Sequence, residues 1–233
     1  MRNDAGEFSI VAQVSRRSSP VATVQTTAEP RPGLLRERLR REVATAIANA
    51  AEEVFAAEGL HAAHVEQIAR RAGVAVGTLY NYYKDRDALL AALMRTRREE
   101  LFAEFDAAQK AVQGGTIREQ LHAFARTKVQ FLAAHRTYFR ILFEGELTRT
   151  QSTYPTATLE YERSLRGFFD RVEALIQRGV DSGELRTENA DLDGWLLGGM
   201  IRSLSVREFR ENRRCEARDI DHLVDVFLKG AGA

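Results

Sequence analysis

The 233-residue sequence predicts an all-α protein of about nine helices. Three observations lead there. After Gly33, apolar residues recur at steps of three and four through most of the chain. Helix punctuation falls between those runs, at Gly59, Gly73, Gly114-Gly115 and Pro155. No stretch sustains the strict alternation of a half-buried strand, and no unit repeats at a fixed period.

Residues 1–33 lack helical periodicity and hold Pro20, Pro30 and Pro32, which predicts a disordered tail. Leu39, Val43, Ile47, Ala50 and Val54 then form the apolar stripe of a first helix, ending near Gly59. Short helices follow at 65–72 and 76–83. Gly73 lies in the turn between them, where a positive φ suits glycine. Asp85 and Asp87 suit the start of a helix that runs to about 110. Thr116 and Glu119 have capping-box spacing, opening a helix that carries Leu121, Phe124, Val129, Phe131 and Leu132. A helix at 136–149 comes next. Tyr154-Pro155 opens a long helix to about Ser182-Gly183, because proline fits a first turn. Two helices, near 190–210 and 216–229, close the chain. The expected units are the tail, a domain at 34–84 and a domain at 85–233.

Composition excludes several function classes. Net charge is +1, so any nucleic-acid partner must be held by a local patch. Cys215 is the sole cysteine, which rules out an intrachain disulfide and a cysteine-rich metal site. The start, MRNDAGEFSI, lacks the pattern of a secretion signal, and no apolar run approaches a membrane span. A cytoplasmic protein with no membrane partner is expected. There is no GxSxG, HExxH or phosphate loop, and His61, His64, His122, His135 and His222 are not spaced as a metal set. No enzyme activity, cofactor or metal is expected.

The first three helices have the layout of a helix-turn-helix, whose second short helix enters a DNA major groove. Ile68, Ala69 and Ala72 are apolar and partly small, allowing a close crossing. On a helical wheel Leu79 and Tyr83 share an inward face, with Gly77 and Asn81 opposite. Thr78, Tyr80 and Tyr82 flank that outer strip. Tyrosine hydroxyls there suit phosphates, and Thr78 and Asn81 are competent to touch bases. Spacing alone leaves open a surface hairpin packed on its own domain.

The run GLHAAHVEQIARRAGVAVGTLYNYYKDRDALL resembles the signature of the TetR family of bacterial transcriptional repressors. Gly59, Val65, Ile68, Ala69, Ala72, Gly73, Val74, Gly77, Thr78, Leu79, Tyr80, Tyr82 and Lys84 carry the match. The resemblance implies a three-helix DNA-binding domain and a variable ligand-binding domain. It also implies a homodimer on a palindromic DNA operator, released by a small-molecule effector that the sequence does not name. Carried over, Ala75, Val76, Gly77, Thr78 and Asn81 take base-reading positions. Tyr80, Tyr82, Lys84 and Arg86 take phosphate positions. Three residues depart from the pattern. Ala63-His64 replaces a threonine pair, leaving His64 as the candidate phosphate contact there, with a simple exposed histidine as the alternative. Ala75 replaces a serine, and Tyr83 replaces a phenylalanine and needs a partner for its hydroxyl. Arg36, Arg38, Arg40 and Arg41 can extend the DNA contact as an arm. Glu37 and Glu42 between them equally fit a solvated helix face.

The C-terminal half resembles the family only in general form. The last two helices place Trp195 and Gly199, then Leu223, Val224 and Phe227, on faces suited to a four-helix dimer interface. An intrachain core is the alternative for that stripe. Phe131, Tyr138, Phe139, Phe143, Tyr161, Phe168 and Trp195 are the candidates to line an apolar ligand pocket.

Overall fold

The computed structural model describes residues 32–60, 62–147 and 154–231; the side chains of residues 32, 143–147 and 231 lie outside that description. Helix α1 (Pro32–Glu58) precedes α2 (Val65–Arg71) and α3 (Val76–Tyr82). Then come α4 (Arg86–Ala111), α5 (Ile117–Ala134), α6 (Arg136–Leu147) and α7 (Pro155–Asp181). The last two are α8 (Ala190–Glu211) and α9 (Ala217–Ala231). Among the described residues there are nine helices and no strand, and no helix is long and apolar enough to cross a membrane.

The local signals act as their chemistry requires. Gly59 and Gly73 take φ of 83° and 70°, breaking the chain after α1 and α2. Asp85 caps α4 by accepting from the Ala88 N–H at 2.7 Å. At α5, Thr116 Oγ1 accepts from the Glu119 N–H at 3.3 Å, and Glu119 Oε2 accepts from the Thr116 N–H at 2.8 Å. Pro155 occupies the first turn of α7, where its missing N–H costs nothing.

The N-terminal unit packs α2 on α1 and α3 on α2, around Ile47, Ala51, Phe55, Ile68, Ala69 and Leu79. α4 leaves this unit and packs along α7 and α5, so one continuous helix joins both halves. In the second unit α5 lies against α8 and α9, and α7 lies against α8.

Two expectations change. The stripe of α1 is buried only from Val43 onward; Leu39 is 59% exposed, as are Leu34 and Leu35 to a similar degree. The first turns of α1 therefore project beyond their domain. α1 also begins at Pro32, whereas residues 1–31 of the expected tail lie outside the described residues. The second change concerns α9. Leu223, Val224 and Phe227 are buried within their own chain, where α9 packs on α5 and α8. Arg118–Asp225 (2.5 Å) and His122–Asp221 (3.1 Å) pairs tie α5 to α9. Those three side chains are therefore core; the larger outward apolar group is on α8, with Val226 exposed on α9.

Candidate DNA-binding face and ligand cavity

α3 presents the strip that its wheel anticipates. Leu79 and Tyr83 are buried, while Ala75, Gly77, Tyr80 and Asn81 are exposed. Thr78, Tyr82 and Val76 are half-buried, and Val76 packs against the core. Val76 thus sits at the edge of the strip, turned partly inward from the groove position that the resemblance implies. The Tyr83 hydroxyl donates to the Ala44 carbonyl at 3.3 Å, so the phenol that replaces phenylalanine has its partner. Burial raises that phenol above its ordinary range.

The flanking cations divide. Lys84 is exposed and lies 3.6 Å from Asp85. The Arg86 guanidinium lies 5.7 Å over the Phe55 ring, and its Nε and Nη2 are buried. It is turned toward the core rather than presented beside Lys84. His64 precedes α2 with its imidazole exposed. Gln67 Oε1 accepts from the His64 N–H at 2.9 Å, so a side chain three residues on caps the start of α2.

The four arginines of the arm are all exposed on α1. Arg38 pairs with Glu42 (3.0 Å) and Arg41 with Glu37 (3.4 Å), as on a solvated helix face. Arg40 behaves differently: its guanidinium lies 5.9 Å over the Tyr82 ring, beside the α3 strip. Arg36 lies a turn further out.

In the second unit α4 to α8 enclose a cavity of about 380 Å³. Tyr138, Phe139, Tyr161, Phe168 and Trp195 line it, as expected. Phe131 does not; it is core, edge-on to Tyr138 with ring centres 6.4 Å apart. The Phe143 side chain lies outside the described residues. Trp195 stacks on Phe169 at 3.8 Å while 54% exposed, so it is both cavity wall and outer surface. Gly198 allows α8 to approach α7, since a Cβ there would come within 2.7 Å of Phe169 Cε1. Gly199 has open space and faces outward with Leu192, Trp195 and Leu196.

Sequence reasoning missed Arg98, Phe102, Lys128, Ser164 and Arg202 in the lining. One signal was available. Lys128 follows Phe124 by four residues and precedes Phe131 by three, placing a lysine on an apolar stripe. Removal from bulk water lowers the Lys128 ammonium to about 8, and its Nζ sits 4.9 Å from the Phe168 ring centre. Arg98 is paired with Glu160 at 2.5 Å. Burial pushes the Tyr138 phenol up to about 12, against the pull of its hydrogen bond with Ser164.

A buried polar network joins this unit to the DNA-binding unit. Arg97 Nη2 on α4 lies 2.6 Å from Glu52 Oε2 on α1, and Arg97 also donates to Glu100 and Asn49. Glu52 Oε1 accepts from the Tyr138 N–H of α6 at 3.3 Å. Arg140 of α6 donates to the Phe55 and Ala56 carbonyls at 2.6 and 3.3 Å. The helix that lines the cavity therefore grips the helix that supports α2 and α3.

Comparison with known proteins agrees with this division. Residues 47–93 match the model for bacterial regulatory proteins of the tetR family, and residues 114–230 match a tetracyclin repressor-like C-terminal domain. The chain is 29% identical over 142 residues to the fatty acid metabolism regulator protein of Bacillus subtilis, covering 60% of this chain and 69% of that one. It is 28% identical over 134 residues to the transcriptional activator FasR of Mycolicibacterium smegmatis, covering 58% of each. The first curated relatives are spanned over 41% to 69% of their own length. Among solved structures, FadR from Bacillus subtilis in complex with stearoyl-CoA shares the fold. Its TM-score is 0.63 at 23% identity, over 79% of this chain and 95% of that one. The two matched models cover the helix-turn-helix unit and the helical unit behind it, and the chain belongs to the TetR family of bacterial DNA-binding transcriptional regulators.

Proposed function

We propose that the protein is a cytoplasmic repressor that binds a palindromic operator as a homodimer and releases it when a small molecule fills the cavity. The observation that carries the DNA reading is the outer strip of α3. Ala75, Gly77 and Asn81 are small or polar and exposed, with half-buried Thr78 and Tyr82 and exposed Tyr80 and Lys84 beside them. In this reading Ala75, Val76, Gly77, Thr78 and Asn81 meet base edges. Tyr80, Tyr82, Lys84 and His64 hold phosphates, and Arg40 joins them through its contact with Tyr82. The homodimer reading is supported by the exposed α8 face of Leu192, Trp195, Leu196 and Gly199. An acyl-type effector is favoured by the aromatic cavity, by the Bacillus subtilis relative named for fatty acid metabolism, and by the similar fold solved with stearoyl-CoA.

The test mixes the chain with DNA flanking its own coding sequence at several salt concentrations. A sequence-preferring complex is expected, weakening steeply as salt rises. If none forms at low salt, the reading fails. Tyr82→Phe and Lys84→Ala should weaken binding to all sequences alike, whereas Asn81→Ala should redistribute affinity among operator variants. Equal loss of preference in all three would contradict this assignment of roles.

A further inference from the structure

The charge inside the cavity constrains its ligand more closely than its shape does. Among the described residues the lining holds Arg98, Lys128 and Arg202 and no carboxylate. Arg98 is already matched by Glu160. Lys128 rises from the apolar stripe of α5, and no described carboxylate lies within ion-pair distance of it. Its contact is the face of Phe168. A half-buried cation with a ring as its contact carries a desolvation cost that an arriving anion offsets. The neighbouring polar groups already have partners: Ser164 Oγ donates to the Glu160 carbonyl at 3.0 Å, and Tyr138 is hydrogen-bonded to Ser164. The remaining wall is largely apolar, built from residues such as Leu101, Phe102, Phe169 and Trp195.

We propose that the cavity takes an apolar carboxylate head first. The carboxylate pairs with the Lys128 ammonium, and the hydrocarbon lies among Phe168, Phe169 and Trp195. The volume of about 380 Å³ lies toward the small end of ligand sites, which suits a medium-length chain. A neutral ligand would leave Lys128 uncompensated. A coenzyme A thioester carries no charge at its acyl carbonyl, so it would not supply the missing anion at that depth. The assignment rests on the cavity being the effector site, but its test uses no DNA.

Trp195 is the sole tryptophan and is stacked at the cavity wall, so intrinsic fluorescence reads occupancy. The full chain is titrated with dodecanoate, dodecanol and dodecanoyl-CoA. Dodecanoate should give a saturable change, with dodecanol weaker by about tenfold or more. Lys128→Met should lower dodecanoate affinity by about tenfold or more and leave dodecanol within about twofold. Lys128→Gln serves if the methionine variant fails to fold. Three results overturn the proposal: dodecanol binding as tightly as dodecanoate, a carboxylate preference that survives loss of Lys128, or dodecanoyl-CoA binding tighter than dodecanoate with no dependence on Lys128. Operator DNA that stays bound while the carboxylate preference holds would instead sink the regulatory reading and leave the ligand assignment standing.

Discussion

A glycine inside a helix costs up to about 1 kcal/mol relative to alanine. Gly77 carries that cost in α3 without a reason inside its own chain. Its φ is not positive, and a Cβ there would meet nothing within 4 Å. Space held open on an outward strip fits a surface that another molecule approaches closely. Gly77→Ala should therefore raise unfolding stability by up to about 1 kcal/mol and weaken operator binding, read by urea melts and a DNA titration. Unchanged DNA affinity would remove that explanation for the glycine. Lys128 gives a second residue-scale prediction. Its ammonium titrates near 8 in the folded chain against 10.5 ordinarily, so the unfolded chain binds more protons between those values. Stability of the unliganded protein should rise with pH across that window, by up to about 3 kcal/mol. Among the described residues, the other charged or titratable groups facing the cavity are Arg98, Tyr138, Tyr161 and Arg202. Lys128→Met should flatten the rise and stabilise the empty protein at pH 7. A melt series from pH 7 to 10.5 decides it.

At the scale of an element, the start of α7 is held by a neighbour rather than by its own cap. Tyr154 makes no side-chain cap bond there. Instead Asp87 of α4 accepts from the Thr156 and Ala157 N–H groups, each at 2.9 Å. Burial pushes the Asp87 carboxyl up, but hydrogen bonds from Thr156 and Ala157 and the charge of Lys84 outweigh it, and the net shift is downward. Its stabilisation is thus present above the ordinary aspartate value of about 4 and is lost as pH falls through the lower folded value. Asp87→Asn should cost about 1 kcal/mol at pH 7 and shrink the loss of stability on acidification, measured by urea unfolding between pH 3 and 7. The helices themselves were legible because their boundaries are written locally. Gly59, Gly73, Thr116 with Glu119, and Pro155 each act within a turn of where they stand. Asp87 read as a helix-start residue of α4, and nothing local showed that it also caps α7, 69 residues along. The α9 stripe shows the same limit. Periodicity identifies Leu223, Val224 and Phe227 as one apolar face, but not whether the same chain or a second one covers it.

On the scale of the whole molecule, α6 touches both functions. Tyr138 and Phe139 line the cavity, while Arg140 holds the Phe55 and Ala56 carbonyls at the end of α1. A ligand that shifts α6 would pull on the support of α3, which gives the two sites a physical coupling. Arg140→Gln should leave each ligand's separate affinity within about twofold and reduce the factor by which one weakens the other, typically about 5- to 150-fold in coupled proteins. The factor is read from operator titrations with and without saturating effector; an unchanged factor would exclude this contact as the route. None of this linkage was legible beforehand, because Glu52 and Arg97, or Phe55 and Arg140, become neighbours only through the packed fold. Lys128 was hidden for a related reason: lysine reads as solvated unless the cavity around it is known. The same side chain also bears on the lifetime of the protein in the cell. If an anionic ligand offsets that charge, unoccupied copies would open more often and meet proteases sooner. An anionic effector would then lengthen the life of each copy it fills, setting how much regulator accumulates as well as whether it holds DNA.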